Sequence, residues 1–531
     1  MTGVNSGVRT WVTAGLALAA MALCASPASG QTLGTIDFPT SGSAAAQPAF
    51  IRGVLYMHSF EYPSALAEFQ KAEAIEPSFA MAYWGEAMTY THPVWNQQDR
   101  DKARAALARL APTRAERLAK APTAREKEYL DAVEILYGEG TKEKRDTLYS
   151  AAMGRISARY PDDQEAKVFY ALSLIGLSQG IRNVPTYIKA GAIAEEVYRK
   201  NPDHPGAVHY TIHAFDDPVH APLGLYAARA YSKIAPGAAH AQHMTTHIFL
   251  ALGLWDDVVS QNEIALGPNA DKYTPNHYSE WLAYGYLQQG RLADAARLQE
   301  TFWRNVKNPM PVGQREGMAI VRATYVMNTG RWDDPSLTRT FAVTDLSPTA
   351  QAVEAFLRGY VAVEHKDNAR AASELAKLDA LARLKGLDAD QPERDKVAIL
   401  RNELRAVIRH AGGATGKAIG LLREAAKIQD ATPAEFGPPD VVKPVYELLG
   451  EMLMTKKGMA HEAERAFERS LELAPRRSAS LLGLARAANL AGDRIVATGA
   501  YTDLASVWRH ADAGVPGLAE ARQSGGVGAN R

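Results

Sequence analysis

Cysteine is almost absent from this 531-residue chain, in which Cys24 is the only one. A single cysteine excludes an intramolecular disulfide. Cys24 also lies in an apolar N-terminal stretch that we expect processing to remove. Any metal site in the mature chain must therefore use imidazole and carboxylate ligands and not thiolate. The same shortage leaves no cysteine nucleophile for covalent catalysis.

Neither sign of charge is in excess. The chain has 59 lysines and arginines and 59 aspartates and glutamates, which gives a formal net charge of zero. Nucleic-acid-binding proteins usually carry a basic patch, so we expect no nucleic-acid partner. Beyond residue 30 no apolar run reaches the roughly 18 residues that a membrane-spanning helix needs, so we expect no membrane span in the mature chain.

Common catalytic and nucleotide-binding motifs are also missing. The segment from His461 to Arg465 has arginine where a zinc-binding His-Glu-x-x-His motif has its second histidine. The segment from Gly412 to Lys417 lacks the four-residue gap of a phosphate loop, and Ala418 replaces the hydroxyl that would bind magnesium. We therefore expect no nucleotide cofactor.

The N-terminus has the order of features found in a secretory signal peptide. Arg9 is followed by an apolar stretch from about Trp11 to Leu23 and then by small residues up to Gly30. A charged region, a hydrophobic region and a small-residue cleavage site are typical of such peptides. We predict cleavage near Gly30 and a periplasmic or secreted location.

Hydrophobic periodicity indicates an all-α chain. Segments rich in Leu, Ala and Glu alternate with short turns, and alternating β-branched runs are scarce. Several segments carry the small residues, aromatic residue and closing proline of the 34-residue tetratricopeptide (TPR) unit. The clearest examples run from Gly53 through Phe69 to Pro77 and from Gly458 through Phe467 to Pro475. We predict a TPR-type α-solenoid of antiparallel helix hairpins in a right-handed superhelix.

The composition divides the whole chain, including the predicted solenoid, into seven parts. They are a signal peptide (1–30), a disordered linker (31–45), an N-terminal TPR solenoid (46–300), divergent helical repeats (301–431), a proline-rich loop (432–444), C-terminal TPR repeats (445–522) and a disordered tail (523–531). The linker and the tail are assigned to disorder because they are small and polar. The loop is assigned from its four prolines, which interrupt helices.

Histidines repeat at the same 34-residue period. Eight of the fourteen histidines lie between residues 204 and 277. His209 and His213 form a His-x3-His pair, and His243 and His247 form another pair exactly one period later. Residues four apart share a helix face, and equivalent positions in stacked repeats lie side by side. The four imidazoles are therefore predicted to form one cluster on the concave side.

Three interpretations of this cluster remain open. Imidazoles from facing helices suit Zn²⁺, Cu²⁺, Ni²⁺ or Fe²⁺, with His240 or Asp216 as an additional ligand. The histidines could instead be packing residues against aromatic neighbours. They could also be neutral hydrogen-bonding groups for a peptide or an organic ligand, with pH-dependent binding.

The predicted binding groove extends beyond the histidine pairs. His58, Glu86 and His92 would continue it on the N-terminal side, and Glu280 and Tyr284 lie one helical turn apart on the next repeat. Two functions are compatible with such a groove. We favour a scaffold that binds a peptide, a partner protein or a small ligand; the alternative is a metal-dependent hydrolase or oxidoreductase.

Beyond the generic repeat, the chain resembles secreted bacterial TPR-domain proteins rich in histidine. The resemblance is carried by Tyr83–Met88, His209–Asp217 and His240–Trp255, and also by residues 448–451 and 480–486. It implies the fold and export but no reaction. It also implies that the first helices of the repeats line a concave groove gripping a peptide or helix, with the two histidine pairs facing that groove.

Overall fold

The computed structural model describes residues 32–178, 182–387, 390–433 and 436–525. The predicted signal peptide, and residues 526–531 of the predicted tail, lie outside these ranges. Within them the chain is almost entirely helical, as the hydrophobic periodicity predicts. It is an all-α solenoid of the TPR type, built from consecutive antiparallel helix hairpins.

Twenty-five α-helices are formed by the described residues. The first twelve are α1 (Gln47–His58), α2 (Tyr62–Ile75), α3 (Ala80–Met88), α4 (Arg100–Leu110), α5 (Arg114–Lys120), α6 (Ala124–Leu136), α7 (Lys142–Arg159), α8 (Gln164–Gly176), α9 (Val184–Lys200), α10 (Pro205–Ala214), α11 (Ala221–Ile234) and α12 (Ala239–Ala251). The others are α13 (Trp255–Leu266), α14 (His277–Gln288), α15 (Leu292–Asn305), α16 (Val312–Thr329), α17 (Pro348–Glu364), α18 (Asn368–Leu381), α19 (Gln391–Ala411), α20 (Thr415–Ala431), α21 (Val445–Met454), α22 (Ala460–Leu473), α23 (Ser478–Ala491), α24 (Arg494–Val507) and α25 (Leu518–Ser524).

Extended structure is limited to one small element in the described ranges. Strands β1 (Thr91–His92) and β2 (Gln97–Gln98) pair antiparallel around a short 3-10 turn. In the same part of the chain, no helix is both long enough and apolar enough to cross a membrane.

Polar residues at the helix starts determine where many helices begin. Thr113, Thr123 and Asn276 each close a capping box at the N-terminus of α5, α6 and α14. The capping side chain accepts a hydrogen bond from a backbone N–H that has no partner within the helix. Asp163 and Asp367 accept similar bonds at α8 and α18.

Glycine allows adjacent helices to pack around a large aromatic ring. Phe69 of α2 lies between Gly53 of α1 and Gly85 of α3, and a Cβ atom on Gly85 would be 2.3 Å from the Phe69 ring. Phe467 occupies the equivalent place between Gly450 and Gly483. The repeat motif read from the sequence therefore corresponds to this helix packing.

The superhelix closes on itself between distant repeats. The indole N–H of Trp255 donates to the backbone oxygen of Arg476, 2.9 Å away. The guanidinium of Arg477 donates to the Tyr284 hydroxyl at 3.0 Å, and a single hydrophobic cluster spans residues 33–521. These contacts join the repeats around α13 and α14 to α22 and α23. These contacts partly close the concave side of the superhelix, and the space on that side is called the lumen below.

The predicted disordered linker is corrected by the structure for residues 32–45. Leu33 and Phe38 are buried, and the Thr35 backbone N–H donates to the Asp203 backbone oxygen. The segment is ordered because its few apolar side chains fill gaps in the solenoid surface. At the other end, residues 523 and 524 of the predicted tail belong to α25.

Candidate functional site: two histidine clusters in the lumen

Six histidines lie close together in the lumen, on three helices that alternate along the chain. His209 and His213 are on α10, His240, His243 and His247 are on α12, and His277 begins α14. The i, i+4 and i, i+3 spacings place side chains on one face of each helix. Because α12 lies between the other two helices, it contributes to both of the groups described next.

The first cluster consists of His209, His213 and His240. One ring nitrogen from each lies within 4.8 Å of the others, and all three residues are buried. The Nε2 atom of each ring is buried and has no hydrogen-bond partner among the described residues. The ring of Phe60, from the α1–α2 turn, packs over this cluster with its centroid 4.3 Å from that of His209.

The second cluster consists of His243, His247 and His277. One nitrogen from each ring again lies within 4.8 Å of the others. The Nε2 atoms of His243 and His247 are 3.2 Å apart. Trp281 packs against this cluster, with ring centroids 4.3 Å from His247 and 5.0 Å from His243. The two clusters are neighbours, since the centroids of His213 and His247 are 5.9 Å apart.

Hydrogen bonds at Nδ1 determine the tautomers of three rings. The Nδ1–H of His209 donates to the His58 backbone oxygen at 2.6 Å. The Nδ1–H of His247 donates to the Asp216 carboxylate. Asn262 uses its amide N–H on a backbone oxygen, so its oxygen accepts from the Nδ1–H of His243 at 2.7 Å. In the neutral rings, Nε2 therefore carries a free lone pair.

Burial favours the neutral form of five of these six imidazoles. It lowers the pKa of His209 and of His277 to about 3. It also lowers the pKa of His213, His240 and His243 well below the ordinary value, and the neighbouring imidazoles add to that effect. Neutral imidazole is the form that binds a metal.

A third group, His58, Glu165 and His204, differs because its hydrogen bonds are complete. The Glu165 carboxylate accepts from Nε2 of His58 at 2.7 Å and from Nε2 of His204 at 3.0 Å. Nδ1 of His204 accepts the Ala207 backbone N–H and caps α10. Burial raises the pKa of Glu165, but the two histidines outweigh it and bring the value down to about 2. We interpret this group as a structural network that joins α1, α8 and α10.

Two chambers of about 340 Å³ each adjoin the clusters in the lumen. His213, His277, Glu280 and Trp281 line the first chamber. Both chambers are lined by Asp216, Tyr284, Lys396, Phe436 and Asp440. Cavities of this size, with apolar walls and a few convergent polar groups, are typical of small-molecule sites.

The predicted cluster of four histidines is therefore divided in two. His209 and His213 join His240, whereas His243 and His247 join His277. Asp216 was predicted as a ligand, but its carboxylate accepts the Nδ1–H of His247 and so stands behind that ring. The division arises because each i, i+4 pair meets the nearest histidine of the following helix.

Residues predicted to extend the groove have different surroundings. Glu280 and Tyr284 line the first chamber. The His58 side chain is fully buried in the Glu165 network. Glu86 is buried and pairs with Arg109, and His92 stacks on Tyr62 with centroids 4.0 Å apart. Neither Glu86 nor His92 is among the described lining residues of the two chambers.

The 34-residue period also relates the second cluster to the sequence. His277 follows His243 by 34 residues, the same period that relates the two histidine pairs. Phe60 and Glu165 could not be found in this way. Phe60 has a positive φ of 53° in a turn, and Glu165 is on a different repeat, so their positions depend on tertiary packing.

No protein-family model matches the chain, and no curated protein sequence matches it. Among solved structures, yeast Tom70 is similar at 9% identity, covering 91% of this chain and 95% of that one, with a TM-score of 0.30. A human IFIT1 dimer with PPP-AAAA is similar at 13% identity, covering 86% and 89%, with a TM-score of 0.35. TM-scores this low do not establish a shared fold, so the TPR-type assignment stands on the helices of this chain.

Proposed function

We propose that the protein is a TPR-type scaffold that binds divalent transition-metal ions at two three-histidine clusters inside its lumen. The first cluster is His209, His213 and His240, and the second is His243, His247 and His277. Each would hold one ion and leave a coordination position for a small ligand.

The observation that carries the proposal is the set of three Nε2 atoms in the first cluster. More than nine-tenths of buried polar groups have a hydrogen-bond partner, because leaving one unpaired costs about 1–3 kcal/mol. Here three such atoms are unpaired in one cluster, within the described part of the chain. A metal ion would give all three nitrogens a partner at once.

The second cluster supports the proposal through a distance. Two imidazole nitrogens bound at about 2.0–2.1 Å to one tetrahedral ion are about 3.3 Å apart. The Nε2 atoms of His243 and His247 are 3.2 Å apart, and both rings use Nδ1–H elsewhere. Two free lone pairs at this distance repel each other unless a cation or a shared proton lies between them.

The hydrogen bonds behind the rings also suit a metal site. Ligating histidines usually donate the other ring N–H to a carboxylate or a backbone oxygen, which orients the ring. Asp216 and the His58 backbone oxygen accept such bonds from His247 and His209. With imidazole ligands and no thiolate, Zn²⁺, Cu²⁺, Ni²⁺ and Fe²⁺ are all suitable ions.

The volume of the first chamber favours a small molecule as the additional ligand. A volume of about 340 Å³ accommodates a compact organic molecule better than a folded peptide segment. A peptide or protein partner in the concave groove stays a prediction, as does export to the periplasm or the medium.

The proposal is tested by metal titration of tag-free, chelator-treated protein. We expect two equivalents of Zn²⁺, Cu²⁺ or Ni²⁺ in the wild type, measured by calorimetry and elemental analysis. His240→Ala should lose the equivalent of the first cluster, and His277→Ala should lose that of the second. Bound metal should also raise the Tm, because it binds the native state alone.

His461→Ala is the matched control, since His461 is exposed on α22. This variant should keep both equivalents. If the wild type binds none, or if the two cluster variants bind as much as the control, the proposal is wrong. A shared proton would then account for the contact between His243 and His247.

A further inference from the structure

We infer that the two histidine clusters form one dinuclear metal centre, in which a small anion from the first chamber bridges the two ions. This inference rests on the proposed function. It adds a relation between the two ions and the chemical class of the additional ligand, which would be hydroxide or the anionic group of a compact molecule.

The six imidazoles form one continuous group. Within each cluster, the centroids of neighbouring rings are 4.5–5.8 Å apart. Between the clusters, the centroids of His213 and His247 are 5.9 Å apart, and those of His240 and His243 are 6.3 Å apart. The step from one cluster to the other is therefore hardly longer than the steps within a cluster.

One side chain of α14 contacts both clusters. The Tyr278 hydroxyl lies 3.2 Å from Nδ1 of His240, which belongs to the first cluster. The Tyr278 ring stacks on His243, which belongs to the second cluster, and the two centroids are 4.4 Å apart. Tyr278 thus holds a histidine of each cluster in a fixed relation to the other.

These spacings permit two ions at the separation found in dinuclear sites. Two-metal sites in proteins hold their ions about 3.5–4 Å apart. An ion bound at about 2.0–2.1 Å to a ring nitrogen lies on the order of 3 Å from the centroid of that ring. Because the centroids of His213 and His247 are 5.9 Å apart, ions bound to these two rings can lie at such a separation.

The first chamber reaches a histidine of each cluster. His213 of the first cluster and His277 of the second both line its wall, together with Asp216. The Nε2 atom of His213 is buried without a hydrogen-bond partner among the described residues, although the side chain borders the chamber. A ligand that enters this chamber therefore meets both clusters and not one alone.

Charge favours an anion as the shared ligand. Imidazole binds metals in its neutral form, so six histidines would leave the full charge of two divalent cations in a buried place. The two cations repel each other there, and buried charge without a partner is costly. The Asp216 carboxylate, which accepts the Nδ1–H of His247, offsets part of this charge. A small anion between the ions would contact both and offset more of it.

Electron paramagnetic resonance of the full chain loaded with Cu²⁺ tests the relation between the ions. Two separate Cu²⁺ ions give a signal that accounts for all of the bound copper, whereas two bridged ions couple their unpaired electrons. With azide as the bridging anion, the wild-type signal should therefore fall well below the copper content measured by elemental analysis. His240→Ala and His277→Ala should each bind one ion and give a signal that accounts for all of it.

Calorimetric titration with azide tests the class of ligand. The wild type should bind one azide for every two copper ions. Either single-cluster variant should bind azide about tenfold or more weakly, because the anion has lost one of its two cations. By linkage, azide should also strengthen the binding of the second copper ion to the wild type. His461→Ala, an exposed substitution on α22, should match the wild type in every measurement.

The outcomes separate this inference from the proposed function. Two copper ions whose signal accounts for all of the copper in the presence of azide would overturn the inference and leave metal binding intact. Two azide ions bound per protein, with the same affinity in the wild type and the single-cluster variants, would overturn it as well. If the wild type binds no metal, the proposed function fails and the inference fails with it.

Discussion

At the residue scale, the site depends on what each imidazole does with its second nitrogen. His209, His243 and His247 each donate Nδ1–H to an oxygen, and this leaves Nε2 free to bind a metal. His58 and His204 instead use both nitrogens in hydrogen bonds. Histidines that are alike in the sequence therefore have different chemical capacities in the folded protein.

Burial of these neutral histidines predicts acid sensitivity of the metal-free protein. The pKa of His209 and His277 is about 3 in the folded chain, against about 6.5 for histidine in an unfolded chain. Between these values the unfolded chain binds more protons, so the free energy of unfolding decreases as the pH falls. The decrease is up to about 1.4 kcal/mol per pH unit for each histidine.

Thermal unfolding at about pH 7.5 and about pH 5.5 measures this effect. The metal-free wild type should have a lower Tm at the lower pH. His277→Gln should show a smaller decrease, and the exposed His461→Ala should match the wild type. Equal Tm values at the two pH values would contradict the assignment of buried neutral histidines.

At the element scale, close packing of helices around aromatic rings holds the hairpins together. Phe69 fills the space that Gly53 and Gly85 leave between α1, α2 and α3. The same arrangement around Phe467 recurs near the C-terminus. Helix α12 joins the two parts of the site, because its face carries histidines of both clusters.

Gly85→Ala should destabilise the N-terminal hairpins. The added Cβ would lie 2.3 Å from the Phe69 ring, which is closer than van der Waals contact permits. We expect a loss of about 1–3 kcal/mol in the free energy of unfolding, measured by chemical denaturation. Gly420→Ala is the matched control, since its Cβ would meet no described atom within 4 Å inside α20. It should be neutral or stabilising by up to about 1 kcal/mol. Equal effects of the two substitutions would exclude the packing explanation.

At the scale of the whole molecule, contacts between distant repeats partly close the superhelix around the lumen. Arg477 links helices from distant repeats. It pairs with Glu447 of α21 at 2.7 Å and donates to the Tyr284 hydroxyl of α14. Arg477 and Glu447 are almost completely buried. An ion pair of this kind is costly to break, because the remaining charge stays in a poorly solvated place.

Arg477→Ala should therefore weaken the closure. We expect a loss on the order of 3 kcal/mol in stability and a larger radius of gyration in solution scattering. Arg423→Ala removes an exposed partner of Glu462 and should cost no more than about 1 kcal/mol. A compact, fully stable Arg477→Ala protein would show that other contacts hold the ends together.

Local patterns were sufficient to predict several features of this protein. The all-α class follows from hydrophobic periodicity, and the TPR-type hairpins and the proximity of the two histidine pairs follow from a 34-residue period. Periodicity is informative because helix faces and stacked repeats convert a fixed sequence spacing into a fixed spatial relation. The same period would have identified His277, which lies one step beyond His243.

Other features were decided only by the tertiary structure. The division into two clusters depends on which neighbouring helix each histidine of α12 meets, since His240 groups with the histidines of α10, whereas His243 and His247 group with His277 of α14. The role of Asp216 depends on a hydrogen bond to a ring 31 residues away. The order of residues 32–45 and the partial closure of the superhelix depend on contacts between parts of the chain that are far apart in sequence. Such contacts leave no periodic trace in the sequence, because they arise from the accumulated rotation and packing of many repeats.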